Sequence, residues 1–460
     1  MRPRARVVLL CVMPAVLSAQ TPQGRNAGFP SGSWLIAMPA GADTNVFRFA
    51  LRFDADGVIG GANTDGLPLR GAVRGDSVIF DVVGRPDGVG VRFAGTLEKG
   101  VIRGMRTQTP AGSATPSSIR EFLATRDLPS RPPRLHAFSP QVFSRTFTGA
   151  APPALRIIPG DTVRTWTLDN AGRDSTGTTR APGGNPLTGP FYIEGALPGD
   201  MIAIRLSRVR PNRNSGMAGV EIVGNALRPD DLRRIGEVPD VDRRWRLDRE
   251  RGVAMLEQPT SALGAYTVPL RPMLGCVGVA PFGGQAIFAT ESGPFGGNMD
   301  YSELREGVTI YLPVFQRGAL LFLGDGHAVQ GDGELTGDAL ETSMDVEFSV
   351  EVHPANRTIR GGISGPRAEN DEFLMAIGIG GDLSDALRNA TSDLARWLES
   401  DYRLTAPELG AVLGTRIRYD VAEVVGSEVS IVAKIPKAAL RQLTRPGATE
   451  AGRPPAPGSR

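Results

Sequence analysis

Cysteine and histidine are scarce in this chain of 460 residues: two Cys, at 11 and 276, and three His, at 136, 327 and 353. With so few thiols a disulfide-built scaffold is excluded, so stability must come from a buried core and from any bound metal. A long hydrophobic run is also missing. The best stretch, Val7 to Leu17, holds eleven residues including Pro14, too few to span a bilayer as a mature anchor. Charge of one sign is not in excess either, at a formal +2, which removes any net attraction to nucleic acid or anionic lipid. The glycine-rich stretches lack the strand-to-helix setting and Lys-Ser/Thr ending of a phosphate loop. No repeat of solenoid length is found.

What is present is an ordinary globular mix, 41% hydrophobic and 22% charged. The 58 Gly and 37 Pro are scattered between apolar runs and read as turns, not as disorder. At this length two or three domains are expected. The start reads as an export signal over residues 1–19: Arg2, Arg4 and Arg6, then the apolar stretch, then Leu17-Ser18-Ala19 as a cleavage site. Its removal takes away three Arg and no acid, so the charge becomes 2 − 3 = −1. The product is expected to be periplasmic or secreted, with no membrane insertion and Cys276 as its single thiol.

Residues 33–127 alternate with period two. Phe47, Phe49, Leu51 and Phe53 share one face and Arg48, Ala50 and Arg52 the other, the mark of half-buried strands. This predicts a small β-sandwich or barrel without a catalytic constellation. Residues 128–134 form a Pro-rich linker, and 445–460 read as a patternless tail. Between them strands are predicted at Thr309 to Phe315, Ala319 to Leu323 and Ser343 to Val352. The period then turns helical from Asp382 to Leu398 and again over Thr405 to Leu413, where Thr405 and Glu408 make a capping box. Val421 to Lys434 returns to strand. The fold class is therefore mainly β, with a short helical segment near the C-terminus.

Chemistry concentrates in Gly324 to Glu334. Five polar or ionisable residues occupy these eleven positions directly after an apolar strand, which is costly unless they meet a partner. A divalent cation would be such a partner. Asp325 and His327 stand two apart, so on an extended segment both leave the same face and can share one ion. A second cluster, Gly296-Gly297-Asn298-Met299-Asp300, places an amide and a carboxylate two residues apart after a pair of glycines. Cys276, in an apolar setting, reads as a buried small hydrophobe and not as a nucleophile.

From about Leu135 to Lys437 the chain resembles the acetamidase/formamidase family. The resemblance is carried by the His136 region with Pro159-Gly160-Asp161, the Asp169 segment, Pro186-Leu187-Thr188-Gly189-Pro190 and Glu194-Gly195-Ala196. Gly278-Val279-Ala280-Pro281, Gly296 to Asp300, Leu312-Pro313-Val314, Gly324 to Glu334, Glu341 and Ile435-Pro436-Lys437 carry it further. It implies a β-rich catalytic domain over 135–437 and hydrolysis of small linear amides to a carboxylic acid and ammonia. It also implies dependence on a divalent metal, zinc first, with calcium at a second site. By position it makes His136, Asp169, Asp325 and His327 the metal-ligand candidates, Glu334 the general base, and Asn298 and Asp300 the substrate positioners. Relatives often carry His where Asn185 stands here. A small amide is the expected partner, nucleic acid is not, and a homo-oligomer is compatible. Two other readings stay open: a non-catalytic exported binding protein on this fold, and a metal-dependent hydrolase of another ester, lactam or amide.

Overall fold

The computed structural model describes residues 31–443, apart from 41–42, 55, 64, 128–130, 236–241 and 355–362. The expected export signal and tail lie outside the described residues, as does part of the linker.

The alternating N-terminal segment forms a closed antiparallel barrel of eight strands: β1 (Gly32–Ala40), β2 (Asp43–Phe53), β3 (Val58–Ala62), β4 (Leu69–Arg74), β5 (Ser77–Val82), β6 (Gly90–Glu98), β7 (Val101–Thr109) and β8 (Ser118–Arg126). Each strand pairs with the next, and β1 closes on β8 through Trp34↔Arg126 to Ala37↔Leu123. Of the two architectures the pattern allowed, the barrel is the one adopted. Its interior is filled by Trp34, Ile36, Phe49, Leu51, Phe80, Phe93, Ile102 and Phe122. Phe93 stacks on Phe80 at 5.0 Å and meets Phe122 edge-on at 5.2 Å, so this eight-stranded barrel is packed solid by its side chains.

The rest of the described chain is built on a six-stranded and a nine-stranded sheet that share one apolar core. Phe191 on one sheet meets Phe348 on the other at 5.1 Å. The strand Met344–His353 lies within the nine-stranded sheet, with Met344, Val346, Phe348 and Val350 buried. The strand expected at Ala319 to Leu323 is instead Leu321–His327. Ala319 and Leu320 both have left-handed backbones, so the chain turns there and pairing begins two residues later, carrying the strand through His327.

The helical expectation is met by Leu383–Tyr402, capped by the Asp382 side chain, which accepts from Asp385 N at 2.9 Å. Ala406–Arg416 follows, with Thr405 N donating to Glu408 at 2.7 Å in the capping box. Ala386, Ala390, Leu394 and Leu398, four apart, bury the longer helix against Leu374, Ala376, Ile431 and Ala433. Gly378 allows that approach, because a Cβ there would collide with the backbone of Ala386 and Ala390. The single strand expected over Val421 to Lys434 is two, Arg418–Glu423 and Val429–Pro436, folded on each other. No described helix is long and apolar enough to cross a membrane.

The barrel is joined to the larger part by a buried side chain. Arg48 points outward from β2, donates to Asp127 at 2.6 Å, and reaches Asp200 and the carbonyl of Gly195.

Candidate metal centre

Three neighbouring strands of the six-stranded sheet assemble the site. Met273–Gly278 pairs on one side with Leu321–His327, through Met273↔His327, and on the other with Gly296–Asn298, through Cys276↔Asn298. Asp300 follows directly after the third strand. Glu341 comes in through an isolated antiparallel bridge to His327. Asp300, Asp325, His327, Glu334 and Glu341 are all buried.

The backbone here is unusual. Among the described residues, eight other than glycine have left-handed φ, and four of them are Asn185, Asp300, Asp325 and Glu334. Such positions disfavour side chains and cluster at functional sites. Asp325 therefore reaches His327 through a local twist and not through the plain pleat that its spacing suggested. Gly275 lies between the two aspartates. A Cβ there would run into Asp300 Oδ1 and come within 2.7 Å of Asp325 Oδ2.

His327 Nδ1 sits 2.9 Å from Gln330 Oε1. Gln330 Nε2 is committed as a donor, to the carbonyls of Asp300 at 2.5 Å and Ala422 at 3.2 Å. Its Oε1 is thus the acceptor and Nδ1 the donor, which turns Nε2 toward the carboxylates. That atom faces Glu341 at 3.1 Å, Asp325 at 3.5 Å and Asp300 at 3.8 Å. Four buried atoms of these side chains have no hydrogen-bond partner: Asp300 Oδ1, Asp325 Oδ1, His327 Nε2 and Glu341 Oε2. Two sets of side chains, Asp300/His327/Glu334 and Asp325/His327/Glu341, bring ligand atoms within 4.8 Å of one another. One imidazole and several carboxylate oxygens form a donor set that suits a divalent cation, and the orphaned atoms show that the residues present fit one.

Electrostatics agree. No described lysine or arginine pairs with these carboxylates, and their only cationic neighbour is His327. Burial, reinforced by Asp325, pushes Asp300 up to about 7. Burial also lifts Glu341 and Glu334 well above the ordinary carboxylate range. Burial acts to lower His327, but Glu341 and Asp325 outweigh it and hold the imidazole well above its usual value. A buried Glu423, next to Gly333 through a parallel bridge, is raised to about 9 by burial and by Asp300.

Of the residues expected from sequence, the structure brings together Asp325, His327, Asp300, Asn298 and Glu334. Two do not join them. His136 lies on Leu135–Ala137, at the edge of the other sheet, with Nε2 against Asp161 at 2.8 Å. Asp169 accepts from Arg213 at 2.5 Å and from the Arg173 amide at 2.7 Å. Each is already matched by a charged neighbour, so the expectation that they ligate the cation with His327 is corrected. Sequence reasoning missed Gln330 and Glu423 as members of the site, and knew Glu341 only as part of the resemblance. Cys276 is fully buried as expected, and burial raises its thiol well above the usual range. It is nevertheless more than packing, since Sγ lies 2.8 Å from Asn298 Oδ1.

The comparisons with known proteins point one way. Residues 242–404 match the model of the Acetamidase/Formamidase family. A putative formamidase of Schizosaccharomyces pombe is 28% identical over 194 residues, which cover 33% of this chain and 47% of that protein. The chain thus spans about half the length of that curated relative. Among solved structures, a predicted acetamidase/formamidase from Thermoanaerobacter tengcongensis is 25% identical with a TM-score of 0.55, covering 68% of this chain and 98% of its own. An acetamidase from Yersinia enterocolitica is 27% identical with a TM-score of 0.55, covering 68% and 94%. These relatives are nearly covered end to end while about a third of this chain is left over, and the barrel fits that surplus. The chain is similar in sequence and fold to the acetamidase/formamidase family and carries an additional β-barrel at its N-terminus.

Proposed function

We propose that this protein hydrolyses the C–N bond of small linear amides, releasing ammonia and a carboxylic acid, with a divalent cation, zinc first, held by Asp300, Asp325, His327 and Glu341. The observation that carries the reading is the buried cluster of Asp, Glu and His ligand atoms within 4.8 Å of one another, whose side chains leave four polar atoms without a hydrogen-bond partner. The match to the family model and the names of the relatives support the amide as substrate class. When bound, a cation there would polarise the amide carbonyl and acidify the attacking water.

The chain's own residues supply the rest. Glu334 meets Asp300 at the edge of the donor set, and one of its oxygens accepts from Ala339 N at 3.0 Å. A carboxylate so placed takes the proton of the attacking water and returns it to the amide nitrogen, which leaves as ammonia. Asn298 fixes Asp300 by donating to its Oδ2, and Gln330 holds the imidazole in the orientation that points Nε2 inward.

Metal analysis and ammonia release on two variants test this. His327→Ala should lose metal and activity together while circular dichroism stays that of the wild type. Glu334→Gln should keep its metal and lose turnover by about 10²–10⁴-fold, the usual share of general-base catalysis. Full metal occupancy with normal turnover in His327→Ala would sink the assignment.

A further inference from the structure

We infer that Asn185, Asn298 and the Cys276 thiol form a hydrogen-bonded brace that leaves Asp300 and Asp325 one open oxygen each, and that Asn185 is the positioning residue at its centre. This rests on the reading of the site as a cation centre and deepens it.

The directions of the bonds follow from the donors. Asn298 Oδ1 faces Asn185 Nδ2 at 2.9 Å and Cys276 Sγ at 2.8 Å. The two donors identify that atom as the carbonyl, so the other end of the amide, Nδ2, is what donates to Asp300 Oδ2. The second hydrogen of Asn185 Nδ2 goes to Asp325 Oδ2 at 2.8 Å. One carboxamide therefore governs both aspartates, Asp325 directly and Asp300 through Asn298. In both, Oδ2 is engaged and Oδ1 has no partner. His327 shows the same division, with Nδ1 held by Gln330 and Nε2 open. Each of these three residues is thus tied at one polar atom and left free at another, as neighbours that orient metal ligands do.

The backbone of Asn185 is suited to this task. Its φ is 53°, a left-handed conformation that Asn and Gly tolerate best. Its amide N donates to Asn170 O at 3.2 Å, which holds the turn in place. Cys276 backs the brace from the fully buried central strand, and Ala289 O lies 3.2 Å from its sulfur.

Cobalt(II) binding tests the brace, read as chelator competition and as the visible absorption of the bound ion. Asn185→Gly keeps the left-handed backbone and removes the carboxamide. It should weaken Co2+ about 10–100-fold, the usual effect of losing such a neighbour, and shift the absorption bands. Cys276→Ala should shift them the same way by less. Cys276→Ser, whose hydroxyl still donates to Asn298, should return to the wild-type spectrum. Wild-type affinity and spectrum in Asn185→Gly overturn the brace and leave the cation reading intact. Should Asn185→Gly fail to fold, identical binding by Cys276→Ala, Cys276→Ser and wild type overturns it equally. No Co2+ binding by the wild-type protein overturns the cation reading itself, and the brace with it.

Discussion

The barrel and the sheet that holds the polar cluster are both buried β-structure, yet their interiors follow opposite rules. Inside the barrel the packed residues are apolar, and Phe49, Phe80, Phe93 and Phe122 touch ring to ring. In the six-stranded sheet, equally inaccessible positions hold aspartate, glutamate and histidine with atoms left unbonded. Packed rings stabilise a fold and do little else. Unbonded buried charge costs stability and persists only where a further partner offsets it. The contrast assigns structural work to the first region and chemistry to the second.

The sharpest way to break this contrast is to make the polar site behave like a packed core. Gly275→Ala adds one methyl group between Asp300 and Asp325. Cation binding and amide hydrolysis are expected to fall by about 10²-fold or more, the upper end for a disturbed ligand set, with the barrel unchanged. Metal analysis and an ammonia assay check this. The reverse experiment is Phe93→Ala. It should cost about 3–5 kcal/mol of barrel stability, as large aromatic deletions do, and shift the midpoint of a denaturant titration. Activity per folded molecule should stay as it was, and a parallel loss of turnover would show that the two regions are not separable.

The smallest effect is expected at Asp161, where the linker meets the nine-stranded sheet. Burial acts to raise Asp161, but Arg131 and the amides of Arg134 and Ile158 hold it well below the usual carboxylate range. A carboxylate depressed in the folded state contributes stability above its unfolded value, near 3.9, and loses it as pH falls through the folded one. Asp161→Asn should therefore flatten the acid side of the stability curve below about pH 4 and lower stability near neutrality. Thermal melts between pH 3 and 7 measure both.

Much of this was legible in the sequence, and the omissions have physical causes. The period-two alternation around Phe49 marks a strand wherever it is buried, and the capping box at Thr405 is a local signal that context rarely overrides. Asp325 and His327 stood out because polar groups after a wholly apolar strand need an explanation. Asp169 failed as a ligand because its partner, Arg213, lies 44 residues away, and no local pattern says which charge a carboxylate will meet. Glu423 ends an unremarkable strand and Gln330 is an amide among acids, so each acquires meaning only when the fold brings it against the cluster. The left-handed turns at Ala319 and Leu320 were hidden for another reason. Neither residue is a turn former, and tertiary packing alone imposes that conformation.

The brace and its surroundings also set an order of events. Asn185 enters from one end of the larger part, while the carbonyl of Ala422, which grips Gln330, enters from the other. No short segment of the chain holds all the groups that shape the donor atoms. A nascent or truncated chain would present scattered carboxylates and a mobile imidazole, with no preference among cations. Selectivity thus arrives late, after long-range strand pairing that is slow in β-rich topologies. On the proposed cation reading, ion loading would follow that pairing and be the last act of maturation.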